Sequence, residues 1–322
     1  MKEFELIKEF FTAQPVSRKD VAMGIGDDCA LIQANDDKLI AVTTDTLVAG
    51  VHFPLNTPPR AIGHKAVAVN LSDIAAMGAE PCWISVAITL PEVDQQWLKE
   101  FTAGIFELTE YFNVQLIGGD TTKGPLSITI TAQGTVPAGK ALCRSGARNG
   151  DYIYVTGDIG DAGLALAAIN KEVELSEQDF AKALEKLNYP KPNVLTGQLI
   201  REYATSAIDV SDGLLADLEH ICRASTLGAV IDLENIPLSD VMKNNLEQKK
   251  AIEMALTAGD DYQLIFTASA TNKVGLETAM SHADIEYSCI GQLNTSDEIN
   301  LNLNGKPFEL SKVGYQHFSE NN

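Results

Sequence analysis

Five short runs of this chain set carboxylates among glycines and hydroxyls: Gly26-Asp27-Asp28, Thr43-Thr44-Asp45, Ser72-Asp73, Gly118-Gly119-Asp120 and Asp209-Val210-Ser211-Asp212-Gly213. One acidic turn is ordinary. Five of them, each where an apolar stretch begins or ends, make an oxygen-rich lining of the kind hard divalent cations take. Mg²⁺ in particular is held by a few carboxylates together with water and substrate phosphates. The chemistry this points to is metal-assisted phosphate chemistry.

The charge balance narrows the partners. The 322 residues carry a formal net charge of −20 at pH 7, which argues against nucleic acid and anionic membranes, since both are held by clustered Lys and Arg. It also sets a condition on a phosphate substrate. Two like unit charges repel by roughly 4 kcal/mol at about 4 Å and an effective dielectric of about 20, so an acidic pocket accepts ATP only with metal ions in between. The five cysteines (Cys29, Cys82, Cys143, Cys222, Cys289) are scattered, with no Cys-x-x-Cys pair. That pattern suits free thiols in a reducing compartment, and a cytoplasmic location is expected. Residues 1–11 resemble a short amphipathic helix and not a signal peptide, and no apolar run approaches the roughly 20 residues of a membrane span.

The elements that must position these residues alternate along the chain. Residues 39–44 read as a β-branched strand, 60–77 as a helix ended by Gly78, 83–90 as a strand and 94–111 as a helix. A strand over 114–117 leads into Gly118-Gly119, and 127–136 alternates polar and apolar residues as a half-buried strand does. Residues 137–149 lack periodicity, and the division of the chain into domains 1–138 and 139–322 is placed there. Beyond it, a strand from 152 precedes a helix opened by Gly160-Asp161-Ala162-Gly163. A helix over 194–203, a strand over 207–210, a helix over 214–225 and strands over 229–233 and 262–267 follow. Strands and helices mixed in both halves predict a two-domain α/β (α+β) protein.

Each acidic run also has a plainer reading. A solvated turn accounts for Asp27 and Asp28, and a capped strand end for Thr43-Thr44-Asp45, of which Thr43 and Asp45 share a face. Asp73 is harder to dismiss, because it takes an apolar-periodic helix position with no Lys or Arg three or four residues away. An unpaired charge there costs several kcal/mol, which favours a metal ligand. Glycines before Asp120 allow close approach of a phosphate or ribose. Arg144 reads as a phosphate clamp or as a surface residue. Asp212 reads equally as a helix cap, which leaves Asp209 unexplained. Gly24-Ile25-Gly26 lacks the third glycine of a dinucleotide fingerprint, and no P-loop pattern occurs. Gly160 and Gly163 remain compatible with a helix N-terminus approaching a phosphate.

In this order, the runs resemble the thiamine-monophosphate kinases of the aminoimidazole ribonucleotide synthetase superfamily. The resemblance spans nearly the whole chain and includes Val51-His52-Phe53, Asn70-Leu71-Ser72-Asp73, Arg144-Ser145-Gly146-Ala147, Gly259-Asp260-Asp261-Tyr262 and Gly314-Tyr315-Gln316-His317-Phe318. It implies transfer of the γ-phosphoryl group of ATP to thiamine phosphate, with several Mg²⁺ ions, in a homodimer paired through its N-terminal domains. It further implies metal ligands at Asp27, Thr43, Thr44, Asp45, Asp73, Asp120, Asp209 and Asp212. Nucleotide contacts fall on Gly119, Asp120, Arg144 and Ser211, and thiamine phosphate contacts on His52, Asp260 and Tyr315. Asp73, Asp120 and Asp212 are expected to matter most for catalysis.

Two departures stand out. Asp260 and Gln263 occupy positions where that family usually has Glu, and Thr102 stands near where it often carries a nucleotide-stacking Tyr. Two rival readings are an ATP-dependent synthetase of the same superfamily and a non-catalytic acidic protein that binds metal or nucleotide.

Overall fold

A computed structural model describes residues 3–25, 29–33 and 37–310. Two compact units divide the chain, one of residues 1–75 and 79–141, the other of residues 76–78 and 142–322. The first unit runs α1 (Glu3–Leu6), a π-helical turn (Ile7–Phe11), β1 (Val21–Met23), β2 (Leu31–Ile32), β3 (Lys38–Val48), α2 (Pro59–Ala76), β4 (Glu80–Leu90), α3 (Gln95–Tyr111), β5 (Gln115–Lys123) and β6 (Ser127–Pro137). The second runs β7 (Tyr152–Thr156), α4 (Asp161–Ile169), α5 (Glu177–Asn188), α6 (Val194–Ile200), β8 (Ala204–Asp209), α7 (Leu214–Ser225), β9 (Gly228–Asp232), α8 (Asp240–Asn245), α9 (Gln248–Thr257), β10 (Leu264–Ala268), α10 (Lys273–His282), β11 (Tyr287–Asn294), β12 (Ile299–Leu303) and β13 (Lys306–Pro307). The protein is a mixed α/β fold. No helix among the described residues is long and apolar enough to cross a membrane.

In the first unit four strands form a sheet in the order β3-β6-β4-β5, antiparallel except for the parallel pair β4 and β5 joined through α3. The alternation of β6 is realised residue by residue: Ile128, Ile130, Ala132 and Val136 are buried, with partly exposed residues between them. Residues opposite one another in an antiparallel ladder share a face. Thr43 and Asp45 of β3 lie opposite Ala132 and Ile130, while Thr44 and Thr46 lie opposite Thr131 and Thr129.

Helices α2 and α3 meet backbone to backbone. A Cβ on Gly63 would lie 2.1 Å from the carbonyl oxygen of Phe101, and one on Gly104 would lie 2.0 Å from that of Arg60. Only glycine fits either place. Thr102, on the same stretch of α3, is buried and gives its hydroxyl to the Leu98 carbonyl.

The strand expected to stop before Gly118 continues through Gly118-Gly119-Asp120 to Lys123, because β4 pairs with it as far as Leu90 opposite Lys123. Gly119 has its own reason to be glycine: a Cβ there would sit 1.9 Å from the Val86 carbonyl oxygen on β4. Gly118 has open space in its place.

In the second unit seven strands form one sheet in the order β13-β12-β9-β11-β7-β10-β8. Ile153, Val155, Ile208 and Ile265 turn to one face, where they pack with Leu214, Leu218 and Ile221 of α7 and Ile252 and Leu256 of α9. Tyr154 and Phe266 stack on the other face at 5.2 Å, and the Tyr154 hydroxyl donates to Glu277 of α10.

Candidate active site

In the first unit the structure joins three of the sequence-predicted residues and adds one. Thr43 Oγ1 donates to Asp73 Oδ2. The Asp45 backbone N–H donates to Asn70 Oδ1 at 3.2 Å, and the Asn70 amide is anchored through Nδ2 on the Ala66 carbonyl at 3.0 Å. Asn70 and Asp73 are three residues apart on α2 and face the same side, which places them against the inward face of β3. Asn70 is almost fully buried. Its signal in the sequence is an amide inside an apolar helical run. Thr44 stands apart, since its hydroxyl turns to the open face of the sheet and bonds Thr131 at 2.9 Å.

His52 follows β3 in a tight turn. Its Nδ1 accepts the Val48 N–H at 3.0 Å, and its carbonyl receives Lys65 Nζ at 3.4 Å. With Nδ1 an acceptor, the neutral ring carries its proton on Nε2. Asp120 lies exposed on the edge strand β5, opposite Ala87. Asp27 and Tyr315 lie outside the described residues.

In the second unit two of the acidic runs form one structure. Asp209 ends β8, buried, and Val210-Ser211 is stitched to the segment 259–263 by the backbone. Val210 N–H donates to the Gln263 carbonyl at 2.7 Å, Tyr262 N–H to the Val210 carbonyl at 2.8 Å and Asp260 N–H to the Ser211 carbonyl at 3.0 Å. A Cβ on Gly259 would come within 2.2 Å of the Ser211 carbonyl oxygen. Asp260 and Tyr262 both take left-handed backbone conformations, φ 71° and 51°. Such conformations persist in non-glycine residues only where the surroundings enforce them. The Tyr262 hydroxyl donates to Asp260 Oδ1 at 2.9 Å. Gln263 Oε1 accepts from Thr156 at 2.7 Å and from Asn193 at 3.0 Å, so a neutral amide satisfies this position.

The cap reading of Asp212 does not hold. Gly213 is the N-cap of α7 and makes no side-chain cap bond. The N–H groups of Ser211 and Asp212 go instead to Asp217 Oδ2, at 2.9 and 3.1 Å. Burial raises the Asp217 carboxyl to about 6, against the pull of these N–H groups and of the Arg144 charge. The Ala207 N–H to Cys143 carbonyl bond, at 3.0 Å, holds the backbone next to Arg144 beside β8. Arg144 itself is exposed.

The α4 N-terminus is closed to a phosphate by a carboxylate. Asp261 accepts the Gly160 N–H with both oxygens, at 3.0 and 2.9 Å, which satisfies a helix-start donor and complements the dipole. Burial holds the Asp261 carboxyl well above the ordinary range. Gly160 and Gly163 are instead packing residues: Gly160, at φ 96°, lies against Met242 and Ala255, and a Cβ on Gly163 would stand 2.3 Å from that of Ala258.

Among the described residues no three His, Cys, Asp or Glu side chains are arranged to hold a metal ion. In the first unit a hydroxyl stands beside Asp73 and an amide beside Asp45. All the donors are hard oxygens, and sulfur and imidazole are absent from the set. Such a set suits Mg²⁺, which keeps several waters and takes its other ligands from one or two carboxylates and substrate phosphates.

Residues 26–136 match the family model described as AIR synthase related protein, N-terminal domain, and residues 148–304 match its C-terminal counterpart. The thiamine-monophosphate kinase of Escherichia coli (strain K12) is 46% identical over 319 residues, with 98% of each chain covered. The chain belongs to the thiamine-monophosphate kinase family. Among solved structures of that family, the thiamine-monophosphate kinase from Stenotrophomonas maltophilia K279a superposes with a TM-score of 0.87 at 40% identity, covering 95% of this chain and 98% of the other. AaThiL complexed with AMPPCP and TMP superposes at 0.76 and 29% identity, covering 98% and 96%. Every described run on which the resemblance rests lies within the matched length of this thiamine-monophosphate kinase family member.

Proposed function

We propose that this chain phosphorylates thiamine phosphate with ATP, giving thiamine diphosphate and ADP. The observation that carries the reading is the 46% identity to a thiamine-monophosphate kinase over 98% of both chains. The roles of the residues follow the family resemblance, position by position. Asp27, Thr43, Asp45, Asp73 and Asp120, and separately Asp209 and Asp212, are the residues that would hold Mg²⁺. Gly119, Arg144 and Ser211 join Asp120 in holding the nucleotide. His52, Asp260 and Tyr315 receive thiamine phosphate. Bound Mg²⁺ supplies the positive charge that lets two anionic substrates share an acidic site.

The acceptor is a phosphate oxygen already ionised at neutral pH, so the protein needs no strong base. Its work is alignment of acceptor and γ-phosphorus and neutralisation of charge. We place the enzyme in the cytosol, in keeping with its unpaired thiols. We also propose that it acts as a homodimer, in keeping with the exposed Ile40 and Val42 on the open face of edge strand β3.

The test is ADP formation by the purified protein. Turnover is expected with ATP, Mg²⁺ and thiamine phosphate together, falling to background when thiamine phosphate is left out or EDTA is in excess. Hydrolysis indifferent to thiamine phosphate would defeat the reading. A second measurement tests direct transfer. Chiral γ-phosphate should invert its configuration in the product, since one in-line displacement inverts and two restore it. Net retention would require a phosphorylated residue.

A further inference from the structure

We propose that Asp217 is the positioning residue of the nucleotide-facing loop: its buried carboxylate clamps the Ser211 and Asp212 peptides that present the reacting contacts. The inference rests on the roles given above to Ser211 and Asp212 and adds a residue that itself touches neither substrate. Asp217 is 3% exposed, on the buried face of α7 between Leu214 and Leu218. One oxygen takes both N–H groups, at 2.9 and 3.1 Å. From the other side, the Asp260 N–H holds the Ser211 carbonyl at 3.0 Å. With its N–H and C=O groups committed in opposite directions, the loop has one backbone setting.

A buried carboxylate is a costly way to satisfy two loop amides that water could otherwise serve ahead of the Gly213 N-cap. A charged acceptor makes shorter and stronger bonds than a neutral one. The return on that cost is precision at Asp212, where a displacement of about 1 Å lowers turnover by about 10²-fold.

The experiment compares Asp217→Ala, Asp217→Asn and Asp212→Asn by steady-state kinetics with each substrate varied in turn. Amide hydrogen exchange at residues 211 and 212 is followed in parallel. Asp217→Ala should lose at least about tenfold in kcat and raise KM for ATP, with KM for thiamine phosphate within about twofold of wild type. Exchange at 211 and 212 should accelerate while β8 and β10 stay protected. Asp217→Asn keeps an acceptor oxygen and should recover most of the loss, retaining about a third of wild-type kcat/KM for ATP. This variant carries the test by itself should the alanine variant not fold. Wild-type kinetics for ATP in Asp217→Asn and Asp217→Ala, or equal rises in both KM values, would overturn the proposal. Wild-type turnover in Asp212→Asn would overturn the site reading and the inference with it. Loss in Asp212→Asn beside intact Asp217 variants would overturn the inference alone.

Discussion

Asp73→Asn is expected to lower kcat by about 10²–10³-fold while the protein stays folded. The carboxylate sits on α2, partly buried, and receives the Thr43 hydroxyl. Asparagine has the same shape and keeps an acceptor for that hydroxyl, so the structural bond survives and stability should change by no more than about 1 kcal/mol. What is lost is the charge, which a purely structural partner of Thr43 would not need. Steady-state kinetics and a thermal melt on the same preparation decide the matter. Near-wild-type turnover would reduce Asp73 to a strut for β3.

Gly104→Ala should destabilise the protein by at least about 3 kcal/mol, a fall in melting temperature of about 6–12 °C. Helix propensity alone points the other way, since alanine in a helix interior is favoured over glycine by about 1 kcal/mol. The deciding magnitude is geometric. The new Cβ would stand 2.0 Å from the Arg60 carbonyl oxygen and 2.9 Å from the His64 nitrogen, both backbone atoms that no rotamer change can move. Helix α2 must shift away, and Asn70 and Asp73 shift with it, so activity should fall more steeply than stability. A melting temperature at or above that of wild type would mean that the two helices are not in contact.

Patterns set by local spacing were legible in the sequence. The alternation of β6, the span of α2 and the half-buried acid on it all follow from which side of an element each residue takes. What depended on distant pairing was not. Nothing between Val114 and Lys123 announces that β4 will hold Gly118-Gly119-Asp120 in a strand, because the partner that does so lies some thirty residues earlier. The same holds for Asp212, whose capping role falls away only because Asp217 reaches back to take the N–H groups. Asp217 carried a signal of its own, an acid spaced among Leu214, Leu218 and Ile221, by the argument that singles out Asp73. Helix α5 was harder to see, since it buries little beyond Ala183 and Leu187 and lies among charged residues. Asn70 escaped notice because an amide, unlike a carboxylate, raises no alarm in an apolar run.

The stitching of Val210-Ser211 to the segment 259–263 has a consequence for the growing polypeptide. The two halves of the seam are about fifty residues apart, which at synthesis rates of roughly 5–20 residues per second is a delay of about 2–10 s. Through that interval β8 has emerged, but β10, the strand it pairs with among the described residues, has not, and the Ser211 carbonyl has no donor. Gly259 must then pass closer to that carbonyl than any other residue could, so the seam closes only with the complete segment in place. A ribosome-bound chain halted before Gln263 should therefore bear every acidic run up to Asp212 and still hold no nucleotide. The first unit, all of whose strands precede Ala138, is free to fold while it waits.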